Sequence, residues 1–319
     1  MLFRSSFTNT MMNQARALVH VYNDGTVGVS TGAVEMGQGV NSKMLQVAAT
    51  CFGISPKNIK LESTNTTRVA NTSPSAASST ADLNGKALLD ACNQIKERLF
   101  AFIKTESTSH EEATVEIKDE IVYINGEASV FDWKHWIRLA FMNRINLSAK
   151  GHYATPIINF DKTIEKGHPF AYHVYGTALT IVTLDCLRGI YEIDAVKVVH
   201  DFGSSMNRAV DLGQCEGGIV QGIGWMTMEE VIYNEEGKLL SNALSTYKIP
   251  DIYSIPKTLD IHFLNTDGND MAIFKSKAVG EPPLMYGIGA YFAIRNAVLA
   301  FNSNAAIRSE ERRVGKECA

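Results

Sequence analysis

The chain has 319 residues, 45% hydrophobic and 20% charged, the balance of a globular protein with a sizeable core. A formal net charge of −4 argues against nucleic acid or an anionic membrane as main partner and leaves small neutral or anionic ligands open. Cys51, Cys92, Cys186, Cys215 and Cys318 are scattered and form no C-x-x-C pair, which argues against a zinc or iron–sulfur site carried by this chain alone and suits a reducing cytoplasm.

The first residues lack the apolar core of a signal peptide, and no run of about 18 apolar residues announces a membrane span. Residues 17–22 read as a strand, Asn23-Asp24-Gly25 as a tight turn and Thr26–Thr31 as the returning strand. The glycine-rich loop Gly37-Gln38-Gly39 precedes a helix at about 41–52, with Met44, Leu45, Val47 and Ala48 among its apolar positions. Ile59–Ser63 alternates like a strand, and a small-residue run over 65–81 leads into a helix at about 82–103, with Asp82 as expected N-cap. Thr114–Ile124 reads as a hairpin turning near Lys118-Asp119; Val174–Asp185 and Ile190–His200 have strand composition. Asp211–Trp225 has a helical pattern loaded with glycine. Helices and antiparallel hairpins in this mixture predict an α+β fold, mixed sheets with packed helices, rather than a doubly wound sheet. Two subdomains are expected, 1–150 and 151–307. The charge-dense residues 308–319 read as a disordered or foreign tail.

Four segments break local rules. In Glu35-Met-Gly-Gln-Gly-Val40, two glycines flank an amide side chain just before a helix, where backbone N–H groups and the helix N-terminus suit a phosphate or polar ring; a plain loop-to-helix turn reads the same. Asn71–Thr80 carries no large side chain, as either a flexible linker or a backbone lying flat against something. Asp211 and Gln214 have capping-box spacing, and Gly217, Gly218 and Gly222 follow; helical glycines at roughly 1 kcal/mol each call for close packing by another backbone or by a cofactor. In Ser276–Leu284, Pro282 and Pro283 stiffen the chain after Glu281, among apolar neighbours that would raise a carboxyl pKa; it is a candidate general base or an ordinary solvated glutamate.

Together and in order, these segments resemble the molybdenum-binding subunit of the xanthine dehydrogenase/aldehyde oxidase family of molybdenum hydroxylases. The matching stretches are Ser6-Phe-Thr8, Glu35-Met-Gly-Gln-Gly39, Asn71-Thr-Ser-Pro…Ala76-Ala-Ser78, Ala81-Asp-Leu-Asn-Gly85, Asp201-Phe-Gly-Ser-Ser205, Gly213-Gln214…Glu216-Gly217, Ser245-Thr-Tyr-Lys-Ile-Pro250 and Lys277-Ala-Val-Gly-Glu-Pro-Pro-Leu284. The resemblance implies the family's second molybdopterin-binding domain, in its C-terminal part. It implies that Met36, Gly37, Gln38, Ala76, Ala77, Ser78 and Gln214 contact a sulfurated molybdenum–molybdopterin cofactor, with the Ala77 backbone near the metal and no side-chain ligand to it. Phe7 and Thr8 match a purine-binding pair, and Glu281 matches the base. The implied reaction is hydroxylation of hypoxanthine or xanthine with water-derived oxygen. Molybdenum carries the redox chemistry and Glu281 takes the proton.

The resemblance also implies partners that this sequence lacks: an N-terminal part of the molybdenum subunit, and FAD and 2Fe–2S clusters on other modules. The expectation is a fragment inactive by itself. An aldehyde oxidase or other heterocycle hydroxylase, and a non-catalytic fragment, are the alternatives.

Overall fold

The computed structural model describes residues 2–4, 10–76, 78–107, 113–264, 266 and 270–305. In chain order, the elements begin with β1 (Leu2–Arg4), β2 (Gln14–Val21), β3 (Val27–Thr31), α1 (Val40–Phe52), β4 (Ile59–Leu61) and α2 (Ser79–Ser107). Then come β5 (Val115–Lys118), β6 (Ile121–Ile124), β7 (Glu127–Asp132), α3 (Trp133–Met142), β8 (Ser148–Ala154), β9 (Asn159–Asp161) and β10 (Lys166–His168). The remainder forms β11 (His173–Asp185), β12 (Ile190–Asp201), α4 (Arg208–Thr227), β13 (Thr258–Leu264), α5 (Pro282–Gly287) and α6 (Gly289–Phe301). This is the mixed α+β architecture that the alternation of patterns predicts.

Two compact units result, one within Ser6–Ala171 and Asn269–Lys275, the other within Met1–Ser5, Tyr172–Gly268 and Ser276–Ala319.

In the first unit, a sheet of order β4-β3-β2-β8 carries α1 and the long α2. Strict alternation along β2 buries Ala15, Ala17, Val19 and Val21. The buried stripe of α2 includes Leu88, Ile95, Leu99 and Ile103, each fully buried and each contributing roughly 1.5–3 kcal/mol by area. Gly151 on β8 lets that helix close in, since a Cβ there would overlap the Ala87 carbonyl. The expected hairpin is β5–β6, extended by β7 into a three-stranded sheet. α2 starts at Ser79, so Asp82 lies in its first turn rather than at its cap.

In the second unit, β1-β11-β12-β13 form a sheet, antiparallel except for the β12–β13 pair. Helices α4, α5 and α6 pack with its strands. Against the expectation of no such stretch, the continuous run Pro282–Phe301 is long and apolar enough, by composition, for a membrane span. In this unit it forms α5 and α6, which bury one stripe, Tyr286, Ala290, Ile294 and Val298, at helical spacing, while Phe292 and Phe301 are exposed.

Candidate functional site

In the first unit, the loop before α1 turns on two residues in the left-handed region, Gly37 (φ 102°) and Gly39 (φ 77°), where a side chain would strain the backbone. The helix N-terminus is not left open for a phosphate, as the glycine pattern had suggested. Glu35 fills it: Oε1 accepts from the Gly37 and Gly39 amides and Oε2 from Asn41, each at 2.9 Å. Partial burial pushes that carboxyl up, but the amides from Asn41, Gly39 and Gly37 outweigh it and leave the pKa below the ordinary value.

Gln38 is engaged within the same loop: its Oε1 accepts from Met36 N at 2.5 Å, and its Nε2 donates to the Val34 carbonyl at 2.8 Å. One Nε2 hydrogen is left for a ligand. Met36 is 70% exposed. A cavity of about 600 Å³ opens beside the loop, lined by Val34, Glu35, Asn41, Leu45, Ile59 and Thr64, among others.

The small-residue run is no flexible linker. Ser73 is buried; its amide donates to Gln14 O at 2.8 Å and its hydroxyl donates to the Met12 carbonyl. Ser75 Oγ accepts from Val34 N at 2.8 Å, tying the run to the glycine loop, and Ser79 Oγ donates to Ala76 O at 2.9 Å. Met36, Gly37 and Gln38 are thereby linked to the segment of Ala76 and Ser78 within one unit. Ala77, Phe7 and Thr8 lie outside the described residues, as do residues 308–319.

In the second unit, Asn207 caps α4, its Oδ1 accepting from Val210 N at 3.2 Å. Asp211 and Gln214 therefore form no capping box; Asp211 instead accepts from the Ser205 hydroxyl at 2.7 Å. The glycines of α4 divide by face. A Cβ at Gly218 would lie 3.0 Å from Pro283 Cβ, and one at Gly222 would overlap the Leu284 carbonyl oxygen. Helix packing against α5 explains these two. Among the described residues a Cβ at Gly213 or Gly217 would meet nothing within 4 Å, and these two glycines flank Gln214 on an open face of the helix.

Glu281 precedes α5, with buried Pro282 and Pro283 starting the helix. Its side chain makes no capping hydrogen bond, and the carboxyl is half-buried. Burial pushes its pKa above the ordinary carboxylate value. Gln214 and Glu281 thus belong to elements packed on each other, α4 and the start of α5.

Sequence reasoning assigned no role to the buried polar groups beside that segment. Lys277 Nζ meets Asp201 Oδ2 at 2.6 Å, with side chains 7% and 0% exposed. Asp201 Oδ1 also accepts from Thr266 Oγ1 at 2.5 Å and Gly203 N at 3.1 Å. His200 is fully buried, with Nε2 3.2 Å from Ala278 O and Nδ1 2.7 Å from the Tyr286 hydroxyl. A carbonyl only accepts, so Nε2 carries the hydrogen and Tyr286 donates to Nδ1. Asp201 and Lys277 stand in motifs quoted above, but their pairing across 76 residues has no local signature.

Burial lowers the His200 pKa from 6.5 to about 4, against opposing contributions from Ala278 O and nearby carboxylates. The folded value lies below the unfolded one, so stability is complete above about pH 6.5 and falls as pH drops toward 4. The expected loss at pH 5 is about 2 kcal/mol. Urea unfolding against pH checks this; a His200→Gln variant should lack that component, and equal pH dependence in the two would refute it.

Since Glu35 takes the loop amides, what the first unit offers a ligand is the Gln38 carboxamide and a small-residue run, and what the second offers is Gln214 between two exposed glycines. No group of three or more His, Cys, Asp or Glu among the described residues could hold a metal directly. Such surfaces fit an organic cofactor that brings its own metal ligands, with the open Gly213–Gly217 face as room a Cβ would fill.

The chain is 41% identical over 298 residues to a xanthine dehydrogenase/oxidase of Felis catus, covering 93% of this chain and 21% of that protein. It is 41% identical over 301 residues to a xanthine dehydrogenase of Dictyostelium discoideum, covering 93% and 20%. The chain thus spans about a fifth of the length of these relatives. The crystal structure of quinoline 2-oxidoreductase from Pseudomonas putida 86 shares the fold with a TM-score of 0.75 at 22% identity, over 92% of this chain and 36% of that one. The family model of the molybdopterin cofactor-binding domain matches residues 1–256. With this match over most of its length, the chain belongs to the molybdopterin cofactor-binding domain family.

Proposed function

We propose that this chain is part of a molybdenum hydroxylase of the xanthine dehydrogenase type, with Glu281 as general base for hydroxylation of a purine carbon. The observation that carries the reading is the Glu281 carboxyl. It is half-buried, engaged in no cap, raised in pKa by burial and held on a proline-stiffened helix start. A base works best with a pKa near the working pH, and desolvation moves this one in that direction. The identity to xanthine dehydrogenases supports the substrate class.

Gln214, beside Gly213 and Gly217, contributes to holding the molybdopterin, as do Met36, Gly37, Gln38, Ala76, Ala77 and Ser78. When bound, the cofactor supplies the two-electron redox chemistry and the oxygen-transfer centre. Glu281 accepts the proton released as oxygen is delivered to the substrate, its partial burial raising its affinity for that proton. Phe7 packs on the purine and Thr8 hydrogen-bonds it. FAD and 2Fe–2S clusters, expected on other modules of the whole cytoplasmic protein, would supply the route by which electrons leave.

The test uses the full-length protein with hypoxanthine, xanthine and an aromatic aldehyde. Purine kcat/KM should exceed that for the aldehyde by at least about 10-fold, a difference within reach of one well-fitted polar contact. Turnover of aldehydes alone would overturn the purine assignment. Failure of molybdenum to co-purify would overturn the hydroxylase reading.

A further inference from the structure

The segment bearing Glu281 is tied down on both sides of that residue, while Glu281 itself adds only a backbone bond, its carbonyl accepting from Leu284 N at 3.2 Å, and its side chain caps nothing. β12 ends in His200 and Asp201, neighbours whose side chains leave opposite faces of the strand. On one face Lys277 pairs with Asp201; on the other His200 donates to the Ala278 carbonyl. Residues 277 and 278 therefore clasp the end of the strand from both sides. Backbone bonds repeat the grip: Lys277 N donates to Phe202 O at 2.9 Å, and Ser276 bridges Gly203. Beyond Glu281, the Tyr286 hydroxyl returns to the other nitrogen of the same imidazole. His200 thus joins a residue just before Glu281 to one just after it. Room for that return exists because β11 has glycine at 176, where a Cβ would overlap the Tyr286 hydroxyl.

Stability alone is a poor reason for such a network. Desolvating Asp201 and Lys277 offsets much of their attraction, and apolar residues would hold the core as well. What fully bonded buried groups supply is a single geometry. We propose that the His200–Tyr286 and Asp201–Lys277 pairs are positioning residues that fix the Glu281 carboxyl for proton transfer. This rests on the reading of Glu281 as the base.

The test uses the full-length, cofactor-loaded protein carrying Tyr286→Phe, with His200→Gln as a second variant should the first misfold. Three quantities are measured: kcat and KM for the purine, molybdenum content, and amide hydrogen exchange over residues 276–287. The kcat should fall about 10- to 100-fold, the scale expected for a misplaced catalytic group, with KM within about twofold. Exchange at Val279, Gly280 and Glu281 should rise while molybdenum content holds. In the Glu281→Gln background, followed by single-turnover reduction, Tyr286→Phe should cost nothing further, since only the carboxyl is being positioned. An equal fold-loss in that background would overturn the proposal, as would unchanged kcat and exchange. Raised exchange with a fully active Glu281→Gln would sink the base assignment, and the positioning role with it. Unchanged exchange with an inactive Glu281→Gln would sink the positioning role and leave the base standing.

Discussion

Glu281→Gln in the full-length protein is expected to lower turnover by about 10²- to 10⁴-fold, the range a general base contributes, with molybdenum content unchanged. The substitution keeps side-chain size and the start of α5, where the carboxyl makes no cap to lose. It removes only the group that can take a proton. The loss should therefore appear equally in kcat and kcat/KM, as for an interaction made in the transition state. Burial raises the Glu281 pKa, so the acid limb of the pH profile should lie above the ordinary carboxylate range and disappear in the variant. Steady-state kinetics across pH with metal analysis checks both. Turnover above about a tenth of wild type would remove Glu281 from the role, since such a loss falls short of general-base catalysis.

The second large effect is a matched pair on one helix. Gly222→Ala is expected to destabilise the protein by about 3 kcal/mol, and Gly217→Ala to stabilise it by about 0.5–1 kcal/mol. Alanine is the better helix former at both positions, so propensity alone predicts two gains. The surroundings reverse one of them. At Gly222 the methyl would overlap the Leu284 carbonyl and crowd Gly287 Cα, both backbone atoms of α5, so the helices must separate. At Gly217 the methyl meets none of the described residues within 4 Å. Urea unfolding of both variants, read for midpoint and slope, gives the signs directly. A stabilised Gly222→Ala would mean that α4 and α5 do not approach as described. If the open face holds molybdopterin, Gly217→Ala should also lower molybdenum content while folding well. That combination separates a ligand surface from a packing surface.

Much of this was open to reading from residue order alone. Period-two burial in β2 and 3.6-residue burial in α2 follow from which side chains avoid water, so those elements are local facts. Gly37 and Gly39 announce a left-handed turn because other residues rarely adopt it. The helical glycines of α4 announced close approach, but the chain could not say whose. Gly218 and Gly222 meet α5, more than 60 residues onward, while Gly213 and Gly217 face open space. The same spacing thus had two causes that only three-dimensional packing separates.

The caps show the limit in the other direction. Asp82 and Asp211 each had a cap's neighbours, yet Ser79 starts α2 and Asn207 caps α4. A polar side chain chooses among several nearby amides, and tertiary contacts decide. Asp211 turned to Ser205 instead.

The sequence by itself determined the α+β class, most of the major elements, and Glu281 as a carboxyl set among apolar residues on a stiff segment. Those properties depend on the residue and its immediate neighbours. Tertiary structure alone decided that Glu35 fills the α1 N-terminus and that Asp201 meets Lys277. It alone decided that His200, neutral because buried, joins Ala278 to Tyr286. Each needs groups to be brought together and desolvated in one place, and no local pattern encodes that.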